Sequence, residues 1–107
     1  IRMHITATQI KIKGISAFFR FITRVAEIRK QLASAEGVIF VKFSGLRTLT
    51  GWRSEDDMKA FRNSGAHLEA MKNIKNIGKA KSISWQADEE PEWYEANTRL
   101  DSIQFRI

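Results

Sequence analysis

The sequence predicts an α+β fold in which two helices pack on one face of a four-stranded antiparallel sheet. Four segments show strand-like alternation or a dense apolar run, and two longer segments show helical periodicity. Glycine stands at most of the junctions between these segments, where it favours a change of direction. The 107 residues, 43% of them hydrophobic, suffice for one core, so residues 1–107 are predicted to form a single domain.

The chain begins with a predicted strand and a predicted helix. His4–Lys13 alternates and is rich in β-branched residues, which is typical of a strand, and Gly14 ends it. Ser16 is placed to cap a helix over residues 17–35. The apolar side of this helix contains Phe18, Phe21, Ile22, Val25, Ile28 and Leu32.

The next two strands are predicted to form a hairpin. Val38–Phe43 is apolar at nearly every residue, which predicts a strand covered on both faces. Ser44-Gly45 is a tight link to a third strand, Leu46–Trp52.

A broken helix is predicted over residues 55–76. Ser54 can cap its N-terminus, and acidic residues follow in the first turn, where they suit the helix dipole. Asn63-Ser64-Gly65 stops the first piece, so His67 lies on a short second piece just after a bend.

The last part of the chain completes a β-α-β-β-α-β order. Gly78 ends the broken helix, Lys79–Ala87 is the fourth strand, and Glu92–Leu100 is a short terminal helix. This order is the split βαβ, or ferredoxin-like, arrangement.

One face of the predicted sheet has no helix to cover it. Phe40, or else Val41 and Phe43, would lie on that face. Because an uncovered apolar face is an interaction surface, we expect a homodimer through facing sheets.

Composition excludes several classes of protein. The chain has no cysteine, so thiolate metal sites, iron–sulfur clusters and cysteine nucleophiles are excluded. No apolar run approaches the roughly 18 residues that a membrane span needs. We therefore expect a cytoplasmic protein with neither a membrane segment nor a membrane partner.

Charge is unevenly distributed along the chain. Residues 1–53 contain ten Lys and Arg against two acids, whereas residues 54–107 contain eight Lys and Arg against ten acids. A basic half can indicate an anionic partner, but charges also space themselves over solvated faces, and both interpretations stay open.

His67 is the first candidate for a site. An imidazole between the broken helix and the sheet suits proton transfer or an axial bond to iron. The alternative is a half-buried histidine that hydrogen-bonds backbone at a helix bend. No further ligands stand at metal-binding spacing, so no protein-only metal site is expected.

Trp52 and Trp85 are the second candidate, because both end predicted strands of one sheet. They could wall an apolar pocket together with Phe61 and Met71 and stack on a flat ligand. The alternative is that both indoles belong to the core. Arg47 could pair with a ligand carboxylate, although a surface arginine is the commoner outcome.

A nucleic-acid interpretation follows from Gly37–Phe43, which resembles the aromatic signature of the RNA recognition motif. However, Val38 stands where that signature has its first aromatic, and Glu36 stands at its leading basic residue. The segment also lies on the second strand, where the RNA module uses the third, so a nucleic-acid partner is the least favoured.

Nearly the whole chain resembles the dimeric α/β-barrel superfamily. The resemblance rests on Thr6-Ala7-Thr8, Leu49–Trp52, Ser54–Phe61, Ser64–His67 and Ser84-Trp85. It is closest to the antibiotic biosynthesis monooxygenases and to the branch similar to spheroidene monooxygenase.

This resemblance implies a homodimer whose sheets face each other and a pocket between sheet and helices in each subunit. In haem-binding members a histidine on the second helical region ligates iron, and His67 is the position that matches. In cofactor-free members polar and aromatic pocket residues support oxygenation, and Trp52 fits that composition.

The sequence therefore predicts a monooxygenase-like enzyme for an apolar or aromatic small molecule, with His67 as the candidate catalytic residue. The alternatives are a non-catalytic protein that binds a small ligand or haem, and a nucleic-acid binder.

Overall fold

The structure is a computed structural model that describes residues 2–105. Its elements, in chain order, are β1 (Met3–Ile12), α1 (Ile15–Ala33), β2 (Val38–Ser44), β3 (Arg47–Trp52), α2 (Glu55–Arg62), α3 (Gly65–Lys72), α4 (Ile74–Ile77), β4 (Gly78–Ala87) and α5 (Trp93–Asp101).

The strands form one antiparallel sheet in the order β2-β3-β1-β4. β1 is central, and its Ile5 pairs with Gly51 of β3 on one side and with Trp85 of β4 on the other. This is the strand order of a split βαβ fold, so the predicted ferredoxin-like arrangement is confirmed.

Strand alternation gives the sheet two different faces. On one face Trp52 packs with Leu32 of α1 and Met58 of α2, which makes this the helix-facing side. On the other face Ile5 and Leu49 pack with residues of α5. The buried core of this second face consists of Met3, Ile5, Ala7, Leu49, Ala96 and Leu100.

The second face is covered by α5; the sequence predicted this helix but not its place on the sheet. Arg47 at the start of β3 fixes this helix, because its guanidinium donates to Asn97 Oδ1 and to Asp101 Oδ1, both at 2.6 Å. Phe40 lies under α5 in the same core. The face from which a facing-sheet dimer was predicted is therefore covered within the chain.

β2 is an edge strand, so the prediction that it is covered on both faces is wrong for the single chain. Ile39 is 51% exposed and Phe43 is 37% exposed. The Phe40 ring lies where a side chain at Gly51 would be, since a Cβ there would come 2.1 Å from Phe40 Cε2. The glycine thus allows an aromatic ring to lie flat on the sheet.

The helix boundaries differ from the predicted ones at α1 and agree at α2. α1 begins at Ile15 after Gly14, whose φ of 93° favours glycine, so Ser16 is not the cap. Ser54 does cap α2, because its hydroxyl accepts from the Asp57 N–H at 3.1 Å. Within residues 2–105, no helix is both long and apolar enough to cross a membrane.

Candidate functional site

Three predicted site residues lie in one aromatic stack on the helix-facing side of the sheet. The ring centroids of Trp52 and Phe61 are 5.2 Å apart, and those of Phe61 and His67 are 5.1 Å apart. Trp52 is 1% exposed, and its indole Nε1 donates to Thr50 Oγ1 at 2.9 Å. The stack therefore connects the end of β3 to α2 and α3.

His67 lies at the bend between α2 and α3 and is half-buried. Its Nδ1 is 3.2 Å from the carbonyl oxygen of Arg62, the last residue of α2. This contact ties the first turn of α3 to the end of α2. Such a bond is the one expected of a histidine that stabilises a helix bend.

Gln31 of α1 holds the same bend, and sequence reasoning missed it. Its amide nitrogen donates to the Phe61 carbonyl at 3.2 Å and to the Ser64 carbonyl at 3.0 Å. Its Oε1 accepts from the His67 backbone N–H at 3.0 Å. Gln31 thus supplies the acceptor that the His67 N–H lacks in the first turn of α3, and it adds a second donor to two carbonyls that also accept backbone N–H groups.

Trp85 does not join this stack, so the prediction that Trp52 and Trp85 wall one pocket is wrong. His4 pairs with Trp52 while its neighbour Ile5 pairs with Trp85, and this one-residue offset places the two indoles on opposite faces. Trp85 packs against the core beneath α5, and the Arg99 guanidinium lies 4.4 Å from its ring centroid.

Met71 lies on α3 one helical turn after His67 and is 37% exposed. Its position is that of a rim residue rather than of a buried wall. An open groove of about 650 Å³ lies elsewhere, between β4 and the segment after α5, and contains none of the predicted pocket residues.

A row of polar side chains covers the helix-facing side of β1 and β4. Thr6 and Ser84 share a hydroxyl–hydroxyl hydrogen bond of 3.0 Å, and Thr8 donates to Ser82 at 3.3 Å. We call this surface the polar shelf and define it as His4, Thr6, Thr8, Ser82, Ser84 and Gln86. Its β1 members are buried or half-buried and its β4 members are exposed, so the shelf opens at β4.

The sheet face beneath a helix layer is ordinarily apolar, whereas the β4 part of this face is polar and exposed to solvent. Here the apolar alternation of β1 and β4 faces α5 instead, as Ile5 and Trp85 show. Hydroxyls that face a helix layer contribute little to packing. The hydroxyls of the shelf instead pair with one another across β1 and β4.

His4 stands at the closed end of the shelf and is the functional candidate that sequence reasoning missed. It is 5% exposed, lies beside Trp52 in the sheet, and its Nδ1 is 3.0 Å from the amide nitrogen of Gln86. Its Nε2 is buried and has no hydrogen-bond partner in the part of the chain that the structure describes. A buried polar atom without a partner costs about 1–3 kcal/mol, which a ligand atom would recover.

The contact with Gln86 determines which nitrogen of His4 carries the proton. An amide nitrogen only donates, so Nδ1 accepts and the proton of the neutral ring is on Nε2. His4 therefore presents an unpaired N–H donor next to the Trp52 indole. A ligand carbonyl, phenolate or enolate oxygen is the natural acceptor.

Burial lowers the pKa of both histidines below the ordinary 6.5. At His4 the carboxylate of Glu55 opposes this effect, while Lys59 and Arg62 add to it. At His67 the bond to the Arg62 carbonyl opposes it, and the charge of Arg62 adds to it. Both rings are therefore neutral at pH 7.

Stability is expected to fall on mild acidification. Because the folded pKa values lie below the unfolded value of 6.5, the unfolded chain binds more protons in this range. The free energy of unfolding is then greatest above that unfolded pKa and decreases as the pH falls below it. Urea titrations at about pH 7.5 and about pH 5.5 measure this, and His4→Phe should reduce the difference.

The residues beside His67 do not fit a haem. Its Nδ1 contact with a backbone carbonyl is one that metal-bound histidines also make. However, the His67 ring contacts Phe61, which itself stacks on Trp52. The backbone N–H of His67 donates to Gln31, and its Nδ1 contacts the carbonyl of Arg62. A haem requires a flat apolar slot beside its ligand, and the residues around His67 do not form one.

The described residues also contain no group of three or more His, Asp or Glu side chains that could hold a metal ion.

The comparisons with known proteins place the fold. No family model matches the chain, and no curated protein matches it. A protein from Nitrosomonas europaea with a provisional description as an antibiotic biosynthesis monooxygenase superposes with a TM-score of 0.66 at 12% identity, over 84% of this chain and 94% of that one.

Two further structures superpose comparably. SnoaB, a cofactor-independent oxygenase from Streptomyces nogalater, gives a TM-score of 0.62 at 12% identity, over 85% of this chain and 98% of that one. A conserved protein from Methanosarcina mazei gives 0.61 at 13% identity, over 81% and 91%. The predicted resemblance is thus confirmed at the level of the fold: the chain has the ferredoxin-like fold of the antibiotic biosynthesis monooxygenase structures.

Proposed function

We propose that the protein is a monooxygenase-like enzyme that acts on an apolar or aromatic small molecule carrying a phenol, enol or carbonyl oxygen. The observation that carries the proposal is the unpaired Nε2 of His4 at the closed end of the polar shelf. The fold supports it, because similar structures include a cofactor-independent oxygenase. The substrate would bind between the shelf and the helix layer.

The chemistry follows from the donor that His4 offers. A phenolate or enolate can supply all the electrons that reduce dioxygen: a substrate carbon that bears two hydrogens in the keto form becomes a carbonyl with one oxygen atom, and its two hydrogens leave with the other oxygen atom as water, so the step needs no external reductant. The His4 N–H would stabilise the oxyanion, because a donor aimed at a developing charge in a dry site is worth more than the same donor in water. The hydroxyls of Thr6 and Thr8 would hold further polar groups of the substrate.

The aromatic stack would form the apolar wall of this site. Trp52 pairs with His4 across β1 and β3, so its ring lies next to the closed end of the shelf. Phe61 and His67 extend the wall toward α3, with Met71 at its rim. In this arrangement His67 positions the wall through its bond to Arg62.

Oxygen uptake tests the proposal. Purified protein is incubated under air with a panel of polycyclic phenols and enolisable aromatic ketones, and an oxygen electrode records consumption. We expect at least one compound to be oxidised faster than in protein-free buffer, with a product that contains one added oxygen. No uptake with any compound, together with no binding, would contradict both the site and the activity.

A non-catalytic ligand-binding protein is the second candidate, and the exposed hydroxyls at the β4 end of the shelf favour it. Quenching of Trp52 fluorescence by a panel compound without oxygen uptake would support this candidate over the enzyme.

We also propose that the chain forms a homodimer. Exposed apolar residues at the β2 edge support it, namely Ile39, Phe43 and Leu46. Light scattering should then give twice the mass of the chain, and a monomer mass would contradict it. The cytoplasmic location stays a prediction.

A further inference from the structure

The first two turns of α1 present an apolar stripe to solvent. Ile15, Phe18, Phe19 and Ile22 are 77%, 45%, 65% and 48% exposed. Their spacing of i, i+3, i+4 and i+7 places them on one side of the helix. Contiguous exposed apolar surface of this kind marks a site of interaction.

Basic side chains surround this stripe. The Lys13 backbone N–H donates to the Ile77 carbonyl at 2.9 Å, and Arg20 donates to the Asn76 carbonyl at 2.9 Å. These bonds hold the end of α4, and with it Lys75, against the start of α1. Lys11 and Lys79 pair at the same end of the sheet but point to its other face, where the Lys11 Nζ lies 6.0 Å from the Phe105 ring centroid, so they do not belong to this surface.

The charges at this end are uncompensated. None of Lys13, Arg20 and Lys75 forms an ion pair within residues 2–105. Most acidic residues of the chain lie far away in sequence or are paired with other bases, as Glu69 is with Lys72.

We propose that this end of the molecule, with the α1 stripe at its centre, docks reversibly on an anionic lipid bilayer. A bilayer surface is the partner that satisfies both features at once, since apolar side chains enter the acyl boundary while lysines contact anionic headgroups. The proposal does not depend on the enzymatic one.

Two other occupants match the surface less well. A second copy of the chain would bring two uncompensated basic clusters together, and such juxtaposition opposes association. A nucleic acid would pair with the lysines, but it would leave the aliphatic Ile15 and Ile22 against a charged backbone.

Sedimentation with lipid vesicles tests the proposal. We expect the full chain to sediment with vesicles of phosphatidylcholine and phosphatidylglycerol, to stay in solution with phosphatidylcholine alone, and to be released as salt screens the charges. The double variant Phe18→Ser and Phe19→Ser should weaken binding by at least about tenfold, because each phenylalanine would lose its burial in lipid. Lys13→Gln with Lys75→Gln should weaken binding to anionic vesicles only.

Tyr94→Ser is the matched control, because Tyr94 is 83% exposed on α5, on the other side of the sheet. It should bind as the unmodified chain does, and circular dichroism should show the same fold for all variants. Equal binding of the stripe variant and the unmodified chain would overturn the proposal. Absence of binding to anionic vesicles would also overturn it. A dimer mass that depends on the stripe would then identify a second copy of the chain as the occupant, and RNA binding that does not depend on the stripe would identify a nucleic acid.

Discussion

Gln31→Leu is expected to lower the free energy of unfolding by about 2 kcal/mol, because it leaves the half-buried N–H of His67 at the α2–α3 break without an acceptor. The carbonyls of Phe61 and Ser64 would each lose one donor but keep the N–H groups of Ser64 and Leu68, so the main loss is the acceptor of the His67 N–H. Leucine is close to glutamine in size, so the change in packing is small. Urea denaturation monitored by tryptophan fluorescence measures the loss.

Lys30→Leu is the control for this prediction, since Lys30 is the preceding residue of α1, is exposed and forms no ion pair within the described chain. Its effect should stay within about 0.5 kcal/mol. Gln31→Glu keeps an acceptor for His67 but removes both donors, and an intermediate loss is expected. Equal stability of Gln31→Leu and Lys30→Leu would show that the side chain does not hold the bend.

His4→Phe is expected to lower oxygen uptake by about 100-fold or more, the size typical for loss of one donor to an oxyanion. Phenylalanine fills nearly the same buried volume, so the fold should persist. The variant removes the Nε2–H and leaves the aromatic stack of Trp52 and Phe61 in place. Initial rates at saturating substrate, with circular dichroism as the check on folding, measure this.

His67→Gln is the comparison variant, because glutamine can still donate to the Arg62 carbonyl. Its uptake should fall by about tenfold at most, as expected for a residue that positions the wall. If His67→Gln instead abolished uptake while His4→Phe did not, the site would be organised around His67, as the sequence first suggested.

Local sequence signals predicted the elements well because their causes are local. Alternation in β1 and β4, the side-chain cap at Ser54 and the stop at Asn63-Ser64-Gly65 depend on neighbouring residues alone. The cap at Ser16 failed because Gly14, with its positive φ, let the helix start earlier.

Long-range features were missed because their causes lie between segments. The sheet face to which Trp52 or Trp85 points depends on which residues of β1 pair with β3 and β4. Neither strand specifies that pairing by its own sequence. Gln31 meets residues more than 30 positions away, and no local pattern marks it. The alternation of His4 with Met3 and Ile5 was visible, but its burial requires α2 above it.

The cover that α5 provides has a consequence for assembly. A short helix with a small apolar side gives little sign in sequence that it will cross a sheet face. The ion pair of Arg47 with Asp101 and its hydrogen bond to the Asn97 side-chain oxygen fix that crossing. The arginine that the sequence offered as a partner for a ligand carboxylate therefore binds α5 instead. Self-association must then involve other surfaces or displace α5.

The most direct test of the central claim is ¹⁵N NMR of the His4 imidazole, with and without a panel compound that is oxidised. The account predicts that free His4 is neutral at pH 7 with its proton on Nε2, and that binding moves the Nε2–H resonance strongly downfield as it donates to the ligand oxygen. A proton on Nδ1, or an Nε2 resonance unchanged by a compound that is oxidised, would contradict it.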